Sequence, residues 1–123
     1  MTLERVCLLR DEGAGRVTHT NHCRHPDLLL YNDQFPPLIQ SPERQRRLDQ
    51  LLDPPQNPGL EEVQGMLRDH LGFPHSICRH ANDEPKTGGW ETVFSVIIEP
   101  DARQMHISRG TPCEHPYAVY SLA

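Results

Sequence analysis

A chain of 123 residues and 14.1 kDa has room for one domain that buries about two-thirds of its unfolded surface, and not for two independent cores. Its 12 prolines, about twice the usual frequency, exclude a long-helix bundle or coiled coil and favour short elements joined by ordered loops. Twelve basic against 17 acidic residues leave a net charge of −5, so the overall basic footprint expected of a nucleic-acid binder is missing.

Residues 3–10 suit a strand, and Gly13 and Gly15 supply the turn that follows, because glycine reaches positive φ at no steric cost. Residues 16–23, rich in β-branched Val17, Thr18 and Thr20, complete a hairpin. Residues 24–40 form a long connection broken by Pro26, Pro36 and Pro37, with residues 28–31 anchoring it to the core. Ser41-Pro42 marks a helix start, since serine caps free N–H groups and proline tolerates the first helical position. Leu48, Leu51 and Leu52 repeat at helical spacing, Asp53-Pro54-Pro55 stops the helix, and Arg44, Arg46 and Arg47 occupy its solvated face. A second helix is expected over residues 60–70, with Leu60, Val63, Met66 and Leu67 inward, Gly65 marking close packing and Gly72 as its C-terminal cap.

After a loop over residues 72–90, residues 92–98 form the clearest strand. It is apolar on both faces, which predicts a central strand covered on both sides. Glu99-Pro100-Asp101-Ala102 reads as a type I turn into a partner strand over residues 103–108, and residues 117–120 make a short final strand. The order of hairpin, two helices, hairpin and final strand gives an α+β layered arrangement in a single domain, residues 1–123.

No run approaches the ~20 apolar residues of a membrane span. The first ten residues carry Glu4, Arg5 and Arg10 and so lack a signal-peptide core. The cysteines (Cys7, Cys23, Cys78, Cys113) are scattered with no Cys-x-x-Cys, the pattern of free thiols in a reducing cytoplasm.

Three constellations could carry chemistry. His19-x-x-His22-Cys23-x-His25, Cys78-x-His80 and Cys113-x-His115 offer the ligand types zinc takes. Cys-x-His is not a usual zinc spacing, however, and residues two apart seldom converge on one ion. The expectation is therefore no metal and no cofactor, with buried thiols and hydrogen-bonding loop histidines. Asn21, at the end of Thr20-Asn21-His22, could donate its amide to a developing oxyanion. Arg109, in Ser108-Arg109-Gly110-Thr111-Pro112-Cys113, could clamp a substrate carboxylate.

Read in order, residues 16–22, 41–52, 67–70, 76–80, 91–98 and 105–113 make a longer pattern. It runs from Arg16-Val17-Thr18-His19-Thr20-Asn21-His22 through Ser76-Ile77-Cys78-Arg79-His80 to Met105-His106-Ile107-Ser108-Arg109-Gly110-Thr111-Pro112-Cys113. The pattern resembles the C-terminal half of the acyl-coenzyme A:6-aminopenicillanic acid acyltransferase family. The resemblance implies part of an N-terminal-nucleophile hydrolase fold, with αββα layers. It implies an acyltransferase or amidohydrolase acting on amide or thioester bonds of a small molecule. In the family, self-cleavage exposes a cysteine whose thiol is the nucleophile and whose α-amine is the base. The Thr-Asn asparagine of the family falls on Asn21.

That nucleophile lies well upstream of the Thr-Asn pair in the family. Cys7 is too close to Asn21 to be its counterpart, and an N-terminal Thr2 would sit deep inside the domain. The chain is thus expected to be a fragment or half of a split enzyme, inactive alone, that self-associates or needs the N-terminal half. The alternative is a small non-enzymatic binding module, with zinc in its Cys/His loops.

Overall fold

The computed structural model describes residues 15–34, 40–53, 57–86 and 88–121. The expected strand over residues 3–10, Cys7 and Thr2 lie outside that set. Among the described residues, three short α-helices and one antiparallel sheet make an α+β arrangement, as expected.

Residues 16–20 form no strand. Their hydroxyls bind the next helix instead. After a 3-10 turn over Pro26–Leu28 comes α1, Leu30–Gln34. Leu29, Leu30 and Tyr31 are exposed, so the apolar run there does not anchor the connection to a core. Asn32 stabilises this stretch by bracketing Cys23: its Oδ1 accepts from the Cys23 N–H (2.8 Å) and its Nδ2 donates to the Cys23 carbonyl (2.9 Å).

Helix α2 spans Ser41–Leu51. Gln40, left-handed at φ 47°, takes the cap position without a side-chain cap bond. Ser41 is therefore the first helical residue and not the cap. Its buried hydroxyl is committed to Thr20 and His22. Helix α3 spans Leu60–Leu67, begins with Glu62 accepting from the Gly59 N–H at 2.7 Å, and ends at Arg68. It stops three residues short of His70, and Gly72 shapes the following turn rather than capping the helix. Nothing lies within 4 Å of a Cβ built at Gly65, so close packing does not explain that glycine.

The sheet holds β1 (Phe94–Glu99), β2 (Gln104–Arg109) and β3 (Tyr117–Ser121) in the order β1-β2-β3, all antiparallel. The β1–β2 turn closes with Arg103 N–H donating to the Pro100 carbonyl (3.1 Å) and Arg103 at φ 53°. It therefore sits one residue later than the expected turn. Register pairs Phe94 with Arg109, Val96 with Ile107 and Ile98 with Met105; β2 in turn sets Ile107 against Ala118 and Met105 against Tyr120. Among the described strands β2 is central and β1 is an edge.

The pattern of burial across this sheet runs opposite to its pattern of polarity. One face carries Ser95, Ile97, His106, Ser108, Tyr117 and Val119, and of these the polar Ser95, His106 and Ser108 are buried while Val119 is exposed. Polar contacts satisfy it: Ser95 Oγ to Tyr117 Oη at 2.7 Å, His106 Nε2 to Glu99 Oε1 at 2.6 Å, and Ser108 Oγ donating to the His115 carbonyl at 3.2 Å. The other face carries Phe94, Val96, Ile98, Met105, Ile107, Ala118 and Tyr120, and all three of its β1 residues are exposed. The expectation of a strand covered on both sides is thus not met within the described residues.

Candidate functional site

The Thr20-Asn21-His22 segment is held against the start of α2 by side chains. Thr20 Oγ1 donates to the Ser41 carbonyl at 3.0 Å and accepts from Ser41 Oγ at 2.9 Å. His22 Nδ1 lies 2.8 Å from Ser41 Oγ. One residue pair earlier, Gln45 Nε2 donates to Thr18 Oγ1 (2.8 Å) and to Asp49 Oδ1 (3.0 Å). Burial first, and then the nearby cations His19, Arg24 and Arg44, pull the His22 pKa below the ordinary histidine value.

Asn21 is exposed between these anchors. Its Oδ1 accepts from Arg44 Nη2 at 2.8 Å. Its Nδ2 has no partner among the described residues. With its oxygen engaged by a cation, the amide keeps its N–H donors available, which is the polarity an oxyanion requires. Burial, and secondarily the charge of Arg79, lowers the pKa of Arg44 itself. The solvated face expected from the sequence therefore does not hold for Arg44, which is half-buried. Contact with Asn21 brings a part-buried member of that face into the site.

Arg109 ends β2 on the open apolar face, where it is exposed. A shallow cleft of about 360 Å³ there is lined by Ile107, Arg109, His115, Pro116, Ala118 and Tyr120. Asn21 does not line it. A second cleft, about 340 Å³, runs along α2 between Gln40, Arg44, Arg47 and Gln50 and the Leu71-Gly72 turn with His75. No described contact joins Asn21 to Arg109.

The Cys/His motifs divide. His19 stacks on His22 with ring centroids 6.5 Å apart, and His25 Nδ1 accepts from the Asp27 N–H. His115 Nδ1 faces the Thr111 carbonyl at 3.1 Å. None of these histidines joins the remaining Cys/His residues in a cluster. Cys78, His80 and Cys113, however, do meet, and His70 completes the group; the four ligand atoms all lie within 4.8 Å of one another. Spacing within one Cys-x-His pair carries no sign of this, because the cluster forms between loops. His70 itself left a usable signal, since His70, Cys78 and His80 fall within eleven residues of one loop. That loop is closed by the Cys78 N–H donating to the Asp69 carbonyl (3.1 Å) and the His80 N–H donating to the Pro74 carbonyl (3.0 Å).

Arg47 fixes the entry to the loop with a two-pronged bond to Asp69, Nε to Oδ1 at 3.0 Å and Nη2 to Oδ2 at 2.6 Å. That fork is the main reason the Asp69 carboxyl is held below its ordinary range. Burial pushes the Cys78 thiol up to about 11, with the adjacent Cys113 thiol contributing to the rise. As a free thiol Cys78 is therefore protonated at neutral pH and is no candidate nucleophile.

A family model described as "Acyl-coenzyme A:6-aminopenicillanic acid acyl-transferase" matches residues 2–114, nearly the whole chain. The chain belongs to this family. Among curated proteins it is 33% identical over 102 residues to the "Acyl-coenzyme A:6-aminopenicillanic-acid-acyltransferase 40 kDa form" of Emericella nidulans. The match covers 80% of this chain and 26% of that protein. The chain thus spans about a quarter of the length of the curated relative it matches, and Asn21, Cys78, His80 and Gly110 all fall within the span that the family model matches. No helix among the described residues is long and apolar enough to cross a membrane.

Proposed function

We propose that these residues form the oxyanion-binding part of an N-terminal-nucleophile acyltransferase. The observation that carries this reading is the Arg44–Asn21 contact in a chain of the acyltransferase family. In the reaction a cysteine thiolate attacks the carbonyl of an acyl thioester or amide. The carbonyl oxygen becomes an oxyanion, and Asn21 Nδ2 donates to it. Collapse expels the coenzyme A thiolate or an amine, and a second amine or water then takes the acyl group. Thr20 and His22 position Asn21 through their bonds to Ser41. Arg109 receives a carboxylate of the acyl acceptor, a role supported by its exposure beside a cleft.

The nucleophile comes from polypeptide that precedes the Thr-Asn pair in the family, either on the same chain or on a partner. Polypeptide of the same origin covers the apolar face of the sheet and completes the αββα layers. Residues 1–123 by themselves are accordingly inactive on acyl thioesters and penicillin-type amides. The reading is tested by assembling them with the nucleophile-bearing part of the family and following release of coenzyme A thiol. Asn21→Ala is expected to lower turnover by roughly 10²–10³, the usual effect of losing one oxyanion donor. Undiminished turnover in the variant would remove Asn21 from the mechanism.

A further inference from the structure

We propose that His70, Cys78, His80 and Cys113 form a structural zinc site that staples the loop after α3 to the loop after β2. Sγ of Cys78 and Sγ of Cys113 are 3.5 Å apart. His80 Nε2 lies 3.7 Å from the first and 3.3 Å from the second. His70 Nε2 lies 3.0 Å from His80 Nε2.

Zinc bound at about 2.3 Å to sulfur and about 2.0–2.1 Å to nitrogen sets the edges of its tetrahedron. Those edges are about 3.8 Å between sulfurs, about 3.6 Å between sulfur and nitrogen, and about 3.3 Å between nitrogens. These four of the six edges fall within about 0.3 Å of the ideal values, and the two edges from His70 to the sulfurs are no longer than 4.8 Å. Cys78, His80 and Cys113 therefore already have the spacing of a coordination shell, with His70 beside them.

Hydrogen bonding alone does not account for it. A single imidazole nitrogen has either one hydrogen or one lone pair, yet His80 Nε2 faces three polar groups. One central cation engages all four donors at once. Two thiolates and two imidazoles are a zinc set, and four protein ligands leave no open position, which marks a structural rather than a catalytic ion. Binding exchanges one Zn²⁺ for the two thiol protons, with both imidazoles neutral.

The rest of the molecule gives the ion a purpose. Leu52, Cys78 and Pro112 are the buried apolar side chains among the described residues, glycine aside. A small fold with so little core gains most from a cross-link between distant segments. The supports around the cluster are in place. Arg68 Nε donates to the Pro112 carbonyl at 2.9 Å, Ser76 Oγ donates to the Cys78 carbonyl, and the Phe73 ring stands 5.2 Å from the His80 ring.

The test is metal analysis of the full chain purified under reducing conditions without chelator. About one zinc per chain is expected. Cobalt substitution should give the thiolate charge-transfer and intense visible bands of a tetrahedral site, and chelation should lower the Tm. Cys113→Ser should weaken zinc binding at least ~10²-fold and His70→Gln about 10-fold or more, whereas His19→Ala leaves it unchanged. Cobalt titration of refolded Cys113→Ser separates loss of a ligand from loss of fold, because an unfolded chain also loses its sheet signal in far-ultraviolet circular dichroism. A reduced chain that takes up no zinc, a Cys78–Cys113 disulfide in protein kept from oxidants, or wild-type affinity in Cys113→Ser would each overturn the proposal.

Discussion

Arg44 changes what Asn21 can do. An asparagine at the end of an extended segment ordinarily folds back on its own backbone. Here its oxygen is engaged by a guanidinium, and its nitrogen has no partner among the described residues. The Thr-Asn pair was legible in the sequence, but Arg44 was not, since three arginines along one helix face look alike until the helix is docked. His22 gives this segment a pH dependence. Its pKa is lowered in the folded chain, so between the folded value and the ordinary value near 6.5 the unfolded chain binds more protons. Stability is then complete above about pH 6.5 and falls as pH drops through that window. Urea unfolding at about pH 7.5 and about pH 5.5 should show the loss, and His22→Gln should make the decline shallower. An unchanged slope in His22→Gln would mean that other histidines set the dependence.

At the scale of elements, Gly110 illustrates how a loop is forced. It sits at φ +98°, and a Cβ there would stand 2.7 Å from the His115 ring. Its N–H donates to the Val93 carbonyl at 2.8 Å, so the residue ends the β1–β2 ladder as it turns the chain toward Cys113. Gly110→Ala is expected to cost about 1–3 kcal/mol from backbone conformation alone, with the ring contact adding to that. Gly65→Ala should act in the opposite sense and stabilise α3 by about 0.5–1 kcal/mol, because the space is open and the position helical. Chemical denaturation of both variants checks the pair; equal effects would contradict the geometry. The start of α2 carries a related lesson. Ser41-Pro42 correctly signalled a helix beginning, but the serine hydroxyl found Thr20 and His22 rather than its own helix's free N–H groups.

Across the whole molecule, the sheet buries polar side chains and exposes Phe94 (61%), Val96 (38%) and Ile98 (60%) on its other face. Contiguous exposed apolar surface of this kind, with β1 an edge among the described strands, drives association. Residues 1–123 alone should therefore dimerise or aggregate, and the nucleophile-bearing part of the family should suppress this. Val96→Lys combined with Ile98→Lys should shift the chain toward monomer, since both positions are exposed on that face. Sedimentation analysis is the measurement. A stable wild-type monomer at high concentration would show that the apolar face tolerates water.

The sequence by itself determined the class of the fold, the two longer helices and the β1–β2 hairpin. These follow from period, turn chemistry and helix-breaking prolines, all of which act over a few neighbouring residues. It also determined the family, through motifs whose order survives where single segments are weak, and it singled out Asn21. Tertiary structure decided which strand is an edge, where the serine of Ser41 spends its hydroxyl and which arginine reaches Asn21. It also decided that His70 joins Cys78, His80 and Cys113 while His115 turns away. These outcomes depend on how separate elements dock, and a side chain three turns or forty residues distant leaves no period or spacing by which the local sequence could announce it.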